Sequence, residues 1–443
     1  MKLDRRPSRS PVFFLIGSLC ALLAGASESA ARGRTPLSPG LWRAWLESPG
    51  GELPFGVELQ EDKGGWRAFI LNPPERLAVA RVTLEKEKGQ LLFDMAPYDS
   101  TVRATLGADG QSLDGTWRKR RDAKTWVEMP FHARRSAGGE ARRFQADPAA
   151  AGVPAATLAE RWAVTFSSDK DPAVAILATQ APDRVTGTFL TATGDYRYLA
   201  GNLDGGRLRL SCFDGAHAFL FDARLEPARG AAGAAAAPTL RGDFWSSDRW
   251  HETWVAQPDP RAALADTFAQ NRWNDGVALA DVKFPDLKGQ MRSLADPAFG
   301  GKARILQVFG SWCPNCNDEA AYLVELDRRY RGRGLSILGL AFEATGELQR
   351  DTEQVRRFAA HHHVEYPVLV AGLSDKEQAS KTFPLLDRVR AYPTTIFLHA
   401  DGRLRAIHTG FAGPATGEEH RQLRRQFEAI IEELLAETPS ARR

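Results

Sequence analysis

Two patterns of apolar residues divide the chain. From about residue 36 to 135, and again from about 158 to 256, apolar residues alternate with polar ones over short segments, as at 66–71 and 101–106. Gly, Asp, Asn and Pro interrupt these segments. Such alternation is typical of antiparallel strands with one buried face and predicts a sandwich or barrel. Residues 136–157 are small, polar and rich in Ala and Pro, and predict a linker.

The second β-rich region resembles a degenerate copy of the first. The order Leu-Phe-Asp, Ala-Thr-Leu and Leu-Asp-Gly-Thr-Trp in residues 92–117 returns as Cys-Phe-Asp, Ala-Arg-Leu and Leu-Arg-Gly-Asp-Phe-Trp in residues 212–245. The second copy carries an insertion at 228–233. We therefore expect two related β units, joined in one domain or lying side by side.

Nine of the 11 tryptophans lie in these β-rich regions, where rings can fill a core or form a platform for carbohydrate or peptide. Core packing is the interpretation we favour. These tryptophans are Trp42, Trp45, Trp66, Trp117, Trp126, Trp162, Trp245, Trp250 and Trp254.

From about residue 277 to 437 the pattern changes to apolar strands alternating with amphipathic helices. Continuous apolar runs at 304–309 and 335–342 predict parallel strands that are buried on both faces. Apolar residues at helical spacing predict a helix at about 314–331 and a closing helix at 418–436. An all-β region, followed by an α/β domain with a mixed sheet, is therefore the expected architecture.

The N-terminus has the layout of a secretory signal peptide over residues 1–31. Four basic side chains within the first nine residues precede an apolar run at 12–23, and small residues follow. The run is short for a membrane span, which needs about 20 apolar residues. We expect an exported, periplasmic or otherwise extracytoplasmic protein, with an uncleaved signal anchor as the one alternative that would attach it to a membrane.

The charge of the chain gives no argument for nucleic-acid binding. Removal of residues 1–31 takes away four basic and two acidic side chains, so the formal net charge falls from +3 to +1. A near-neutral chain lacks the basic surface that nucleic acids attract.

Cys313 and Cys316 form a Cys-Pro-Asn-Cys sequence just after a predicted strand. The first sulfur then lies at a helix N-terminus, where unpaired N–H groups and the helix dipole stabilise a thiolate. The second sulfur, one turn on, can close a small disulfide ring, so the pair can exchange electrons with another disulfide.

A zinc site would need two more ligands, and neither Cys20 nor Cys212 forms a second such motif. An inert structural disulfide is the other alternative, and Cys212 is expected to be a buried free thiol.

The run His361-His362-His363 raises the question of a metal site. Consecutive residues on a helix point in different directions, which does not suit a shared metal ion. We expect a solvated helix C-terminus, where partly protonated imidazoles suit the dipole. No metal site is predicted.

Two motifs together carry a family resemblance. Trp312-Cys313-Pro314-Asn315-Cys316 after a buried strand, with Tyr392-Pro393-Thr394-Thr395 farther on, resembles the TlpA/ResA-like thioredoxin-fold disulfide reductases. The likeness covers about residues 277–437. It implies a thioredoxin-like fold, with Cys313 as an exposed nucleophile and Cys316 as the buried resolving cysteine.

The resemblance also assigns a substrate face. Pro393 matches a cis-proline that faces the dithiol, and the backbone of Tyr392 would pair with an incoming extended peptide. Trp312 and Pro314 flank the nucleophile in the sequence. The four residues are therefore candidates for substrate binding.

Glu343, at the end of the second central strand, matches an acid that the family places near its dithiol. A buried carboxyl there has a raised pKa and can pass a proton to or from the resolving sulfur. A solvated glutamate at a strand end is the alternative. The chain departs from the family pattern at Ala321, where proline is common five residues after the second cysteine, although Glu319 is retained at the third.

The sequence thus predicts an exported thiol–disulfide oxidoreductase that reduces disulfides of client proteins. No bound cofactor is expected, because the cysteines carry the electrons, and an external thiol donor must reduce the pair again. Two alternatives stay open. One is a thiol peroxidase, although the P-x-x-x-[TS]-x-x-C context of such enzymes is absent before Cys313. The other is a ligand-binding β domain coupled to a redox-sensing thioredoxin domain.

Overall fold

The computed structural model describes residues 37–136, 142–148, 157–168, 171–227 and 237–437. The expected signal peptide, most of the expected linker and the insertion in the second β copy lie outside these ranges. Within them, no helix is long and apolar enough to cross a membrane.

The first β-rich region is an open antiparallel sheet of nine strands. They run in the order β4-β3-β2-β1-β9-β8-β7-β6-β5, so the two edge strands are consecutive in the chain. Period-two burial, as in β7, turns one face of the sheet toward the core. The strands are β1 (Gly40–Ser48), β2 (Gly51–Asp62), β3 (Gly65–Asn72), β4 (Glu75–Ala78), β5 (Arg81–Glu85), β6 (Gln90–Met95), β7 (Ser100–Leu106), β8 (Ser112–Arg120) and β9 (Trp126–Arg135).

The second β-rich region closes into a barrel. Strand β11 pairs with both β10 and β12, so eight strands complete a ring and β13 adds to the edge of β12. Closure leaves the ring without a free edge. The strands are β10 (Arg161–Phe166), β11 (Ala173–Ala181), β12 (Arg184–Thr191), β13 (Gly194–Asp195), β14 (Leu199–Asp204), β15 (Arg207–Phe213), β16 (Ala218–Glu226), β17 (Thr239–Ser246) and β18 (Trp250–Pro258).

The two sheets share a strand order. In each, the first strand pairs with the second and with the last, as β1 pairs with β2 and β9, and β10 with β11 and β18. The segments matched in the sequence lie on β6–β8 in one sheet and on β15–β17 in the other. The predicted all-β region is confirmed, and it combines one open sheet with one closed barrel.

The two β regions are joined by a shared core around Phe213. This ring, from the barrel, lies 4.4 Å from the Phe55 ring and 5.3 Å from the Trp117 ring of the first sheet. Each large ring buried in this way stabilises the fold by about 1.5–3 kcal/mol. Trp117 and Trp254 are fully buried, as expected for core residues, whereas Trp250 is 52% exposed. The prediction of core packing therefore holds for some of the tryptophans and is wrong for Trp250.

The C-terminal region is a thioredoxin-like α/β domain, as predicted. Its sheet has the order β23-β22-β21-β24-β25, in which β21, β22 and β23 are parallel and the last two strands antiparallel. All seven residues of β21 are buried, which explains its continuous apolar run. The strands are β19 (Lys283–Pro285), β20 (Met291–Ser293), β21 (Ala303–Phe309), β22 (Leu335–Glu343), β23 (Val368–Leu373), β24 (Thr394–His399) and β25 (Leu404–Thr409). The helices are α1 (Pro314–Tyr330), α2 (Leu348–His362), α3 (Lys376–Thr382) and α4 (Glu418–Ala436).

Candidate redox site

The cysteine pair lies where β21 gives way to α1. Cys313 is the N-cap of the helix, and its sulfur accepts a hydrogen bond from the Cys316 N–H at 3.2 Å. Pro314 occupies the first helical position, where its missing N–H costs nothing. The helix N-terminus thus points a donor at the first sulfur, which favours negative charge there.

The segment before β24 closes the other side of the first sulfur. The Cys313 thiol donates to the Tyr392 carbonyl at 3.4 Å, and the Tyr392–Pro393 peptide is cis. The Trp312 ring packs edge-on against the Tyr392 ring, with centroids 5.5 Å apart, and its Nε1 donates to the Phe342 carbonyl. These contacts bring the four candidate substrate-binding residues together around Cys313.

Glu343 is held under the turn that leads to Cys313. Because β21 and β22 are parallel neighbours, their carboxyl ends meet at one edge of the sheet. One Glu343 oxygen accepts from the Ser311 N–H at 2.9 Å and the other from the Ser311 hydroxyl at 2.7 Å. The side chain is buried, so the alternative of a solvated strand-end glutamate is wrong. Burial raises the pKa of Glu343 to about 8, although the Ser311 hydrogen bonds work against the rise.

Glu319 is a second buried acid, one helical turn after Cys316. Its oxygens accept from the Thr395 hydroxyl and from Gln307 Nε2, the latter at 2.8 Å. Burial raises the pKa of Glu319 to about 7. The pKa of the Cys316 thiol is raised well above its usual range by burial first, then by the Cys313 sulfur, with a contribution from Glu319. Glu319 was not predicted as a site residue, although its spacing of three residues from Cys316 on a helix is the signal that places it there.

The histidine run differs from its prediction at His362. Asn317 donates from its amide nitrogen to the Ser311 and Cys313 carbonyls, so its oxygen is left to accept from His362 Nε2 at 2.6 Å. Burial lowers the pKa of His362 to about 3, which makes the ring neutral at physiological pH. The end of α2 packs on the start of α1, so this half-buried imidazole supports the cysteine turn, whereas His361 and His363 are exposed as predicted. Within the described residues, no three His, Cys, Asp or Glu side chains are grouped to hold a metal ion.

A loop of the barrel covers the cysteine turn, which the sequence analysis did not anticipate. Asn315, between the two cysteines, donates to both the backbone oxygen and a carboxylate oxygen of Asp195 at 3.2 Å. The same Asp195 oxygen accepts from the Gly413 N–H at 2.6 Å. Cys313 is only 5% exposed, so the exposed nucleophile implied by the family resemblance is wrong for this structure.

Arg197 fixes this loop to all three folded regions. Its guanidinium lies 2.6 Å from Glu75 of the first sheet and 3.6 Å from Asp214 of the barrel, and it pairs with Asp318 of α1. Burial opposes the charge of Arg197, yet the surrounding acids, Glu75 first, hold its pKa above the usual range. Glu75, Arg197 and Asp214 are distant in sequence from the cysteines, and no motif marks them.

The acids around Arg197 are unequally compensated. Burial raises the pKa of Glu75 and of Asp195 despite the nearby guanidinium. Burial also acts on Asp214, but charge and hydrogen bonding from His217, followed by Arg197, outweigh it and lower the pKa of Asp214. One cation therefore only partly neutralises the group.

The C-terminal region of the chain is similar to known proteins. A model of the AhpC/TSA family matches residues 276–407. Thioredoxin-like protein YneN of Bacillus subtilis (strain 168) is 27% identical over 136 residues, which cover 31% of this chain and 72% of that protein. Thiol-disulfide oxidoreductase ResA of Geobacillus kaustophilus (strain HTA426) is 28% identical over 165 residues, which cover 36% of this chain and 86% of the relative.

Solved structures also match. One is a putative thiol:disulfide interchange protein DsbE from Chlorobium tepidum, with a TM-score of 0.26 and 18% identity over 37% of this chain and 95% of that one. The similarity to ResA confirms the resemblance first seen in the two sequence motifs. Residues 276–407 therefore form a thioredoxin-like domain of the AhpC/TSA type, and the chain is a thiol–disulfide oxidoreductase of the thioredoxin fold.

Proposed function

We propose that this protein is exported and reduces disulfides of client proteins through Cys313 and Cys316. The observation that carries the proposal is the position of the Cys313 sulfur, which faces the Cys316 N–H at the start of α1 and the carbonyl before Pro393. A sulfur placed between a helix N-terminus and a site for extended peptide is suited to attack a disulfide.

In the first step the Cys313 thiolate attacks one sulfur of the client disulfide. A bond forms between Cys313 and the client, the client S–S bond breaks, and the second client sulfur leaves as a thiolate that takes up a proton. Four residues border the attacking sulfur and are assigned to client binding: Trp312, Pro314, Tyr392 and Pro393. The hydrogen bond from Cys313 to Tyr392 is lost when the thiol ionises.

In the second step Cys316 attacks the Cys313 sulfur and releases the reduced client. The Cys316 thiol must lose its proton, and its raised pKa calls for a base nearby. Glu343 is assigned this role because its pKa of about 8 lies close to physiological pH. Glu319, one helical turn after Cys316 with a pKa of about 7, is a second candidate acceptor.

The complete cycle transfers two electrons and two protons to the client. The protein is left with a Cys313–Cys316 disulfide, and an external dithiol reductant must return it to the reduced form. The chemistry resides in the sulfur atoms, so the proposal includes no bound cofactor.

Trapping the mixed disulfide tests this proposal. Cys316→Ser removes the resolving thiol, so clients from an extracytoplasmic extract should remain bound to Cys313 and be released by dithiothreitol. The matched control is Cys313→Ser, which should retain nothing. Equal capture by both variants, or capture on Cys212, would contradict the assignment, and turnover of peroxide without any disulfide would favour the peroxidase alternative.

Export rests on the charged start and the short apolar run of the first 31 residues. Intact-mass measurement of the protein from its native host should give an N-terminus near Ser27 or Arg32. A mature protein that begins at Met1 in the cytoplasmic fraction would contradict export and leave the dithiol chemistry untouched.

A further inference from the structure

A segment of the barrel lies on the side of the redox site that faces clients. We call residues 191–197, which run from the end of β12 through β13, the cap loop. Asp195 of this loop accepts hydrogen bonds from Asn315, inside the Cys-Pro-Asn-Cys sequence, and from Gly413. The loop therefore binds the cysteine turn directly and does not merely pass near it.

The cap loop packs closely against the thioredoxin-like domain at two glycines. A Cβ placed on Gly410 would lie 3.0 Å from the Ala192 carbonyl oxygen and 3.2 Å from the Gly194 nitrogen. A Cβ on Gly194 would lie 2.9 Å from the Asn315 amide nitrogen. Gly410 also donates to the Pro393 carbonyl at 2.9 Å, so the loop sits beside the cis-proline segment where a client is proposed to bind.

The first sheet also docks on the thioredoxin-like domain. The turn at Ala96–Tyr98 lies on α2, where Gln354 donates to the Ala96 and Pro97 carbonyls at 2.8 and 2.9 Å. Asp99, next to this turn, pairs with Arg350 of α2. Cys313 is itself 5% exposed, and it lies near enough to Tyr98 to contribute, after burial, to the raised pKa of that phenol.

Arg197 holds the cap loop in its docked position. It is 3% exposed and carries ion pairs to the first sheet, to the barrel and, through Asp318, to α1. Removal of one partner of such a buried group leaves a charge without compensation, so the loop's docked position depends on these pairs. Asp318 is the member that belongs to the thioredoxin-like domain, only two residues after Cys316.

We propose that the cap loop determines the specificity of the redox site. Resting on the proposed function, the inference is that Asp195 and Arg197 admit small or extended disulfides to Cys313 and exclude disulfides held in bulky folded proteins. Bulky clients react only when the loop separates from Asn315 and Gly413. Local opening of this kind has its own free energy, set here by the contacts of Arg197.

The rate at which maleimides modify Cys313 measures how accessible this sulfur is and does not require catalysis. The reduced protein is treated with N-ethylmaleimide or with a maleimide that carries a long polyethylene glycol chain, and peptide mass mapping follows the modification of Cys313. We expect the wild type to react at least about tenfold more slowly with the large reagent, because that reaction requires loop opening. Arg197→Gln and, independently, Asp318→Asn should reduce this ratio to below about threefold.

Arg207→Gln is the matched control. Arg207 pairs with Asp222 at 2.5 Å within the barrel and lies away from the cysteine turn, so its loss should leave the ratio at the wild-type value. Circular dichroism establishes that each variant is folded, and Asp318→Asn keeps the test valid if Arg197→Gln does not fold. An equal rate for both reagents in the wild type, or an unchanged ratio in folded Asp318→Asn, would overturn the proposal.

A parallel assay separates this inference from the proposed function. Reduction of a short disulfide-bridged peptide is compared with reduction of a folded disulfide protein. Arg197→Gln or Asp318→Asn should accelerate only the second reaction by severalfold. If the ratios of the two maleimide rates are as expected but the wild type reduces neither substrate, the role of the cap loop in access is supported and the proposed function is wrong. If both variants lose the reduction of the peptide and of the folded protein but keep the wild-type maleimide ratio, the proposal that the cap loop limits access to Cys313 is wrong.

Discussion

Two groups of buried acids flank the cysteine pair, and they differ in what surrounds them. Glu319 and Glu343, within the thioredoxin-like domain, receive hydrogen bonds from neutral donors: a serine, a threonine, a glutamine and a backbone N–H. Glu75, Asp214 and Asp318, at the junction with the β regions, share the guanidinium of Arg197. The first group can gain and lose protons near physiological pH, whereas the second forms ion pairs with one shared cation.

The difference shows how the same residue type serves chemistry in one place and docking in another. Burial without a cation raises the pKa of Glu343 to about 8, into the range that suits a proton acceptor. Near His217 and Arg197, the pKa of Asp214 is lowered instead, so that acid stays ionised and is too weak a base to take a proton from a thiol. Substitutions at the junction should therefore change the stability of the protein and the access of reagents to Cys313. Substitutions of Glu319 and Glu343 should change how stability and reactivity depend on pH.

The largest expected effect is on stability when the cation of the junction is removed. Arg197→Met leaves several acids without compensation and should destabilise the protein by about 3–5 kcal/mol. Thermal unfolding followed by tryptophan fluorescence measures the change, because fully buried tryptophans lie in both β regions. The control Arg207→Met removes a partly exposed pair and should cost less than about 1 kcal/mol. Equal losses in the two variants would remove the distinction between the junction and an ordinary surface pair.

The second effect concerns pH and the acids below the dithiol. Because the pKa of Glu343 is raised from 4.5 to about 8 in the folded protein, folding favours the protonated acid. That stabilisation is complete below the unfolded pKa and is lost as pH rises through the folded value. Glutamine has no proton to lose, so Glu343→Gln should gain about 4 kcal/mol relative to the wild type between pH 4.5 and pH 8.

Glu319→Gln should show the same trend with a smaller amplitude, because the pKa of Glu319 rises only to about 7. Melting temperatures of the wild type and of both variants across this range test the comparison. A stability difference that does not change with pH would mean that these acids are already ionised in the folded protein. The account of the acids below the dithiol would then be wrong.

A third, smaller effect concerns the resolving step. Glu343→Gln should slow release of the client from Cys313 on the order of tenfold, because a proton acceptor for Cys316 is lost. Rapid mixing of the reduced protein with a fluorescent disulfide peptide separates formation of the mixed disulfide from its resolution. Only resolution should slow, and its dependence on pH should flatten. If Glu319→Gln alone slows this step, the base is Glu319 and the assignment of Glu343 is wrong.

The smallest effect is expected at Cys212. This thiol is buried in the barrel core, and burial raises its pKa well above the usual range, so it is unreactive. Cys212→Ser should cost about 1 kcal/mol, because a hydroxyl replaces an apolar thiol, and should leave disulfide exchange unchanged. Thermal unfolding and a peptide-reduction assay measure the two quantities. A loss of exchange in folded Cys212→Ser would bring the barrel core into the chemistry and contradict the account.

The thioredoxin-like domain was predictable because its signals are local. A continuous apolar strand, a cysteine pair at a helix start and a Tyr-Pro-Thr-Thr segment each lie within a few residues and define their own geometry. Glu343 was expected from the family resemblance, and the pairing of β21 with β22, which brings the ends of parallel strands together, explains its position. Glu319 was visible in the sequence, but only the structure shows that its carboxylate is buried beneath Cys316.

The cover over the dithiol could not be predicted, because it depends on contacts between distant parts of the chain. Asp195 is 120 residues from Asn315, and nothing in its local pattern indicates a partner there. Closure of the barrel likewise requires β11 to pair on both sides, whereas alternating burial is the same in the open sheet and in the closed one. His362 was misjudged for the same reason, since its neutral state follows from packing on α1 and not from the helix end alone.

A single-turnover reaction tests the central claim most directly. The fully reduced protein is mixed with one equivalent of a short disulfide-bridged peptide, and the products are mapped by mass spectrometry under acid quench. The account predicts one peptide reduced per protein, a new disulfide between Cys313 and Cys316, and a free thiol at Cys212. A reduced peptide with no Cys313–Cys316 disulfide, or a peptide that stays oxidised in a reaction with folded and fully reduced protein, would contradict it.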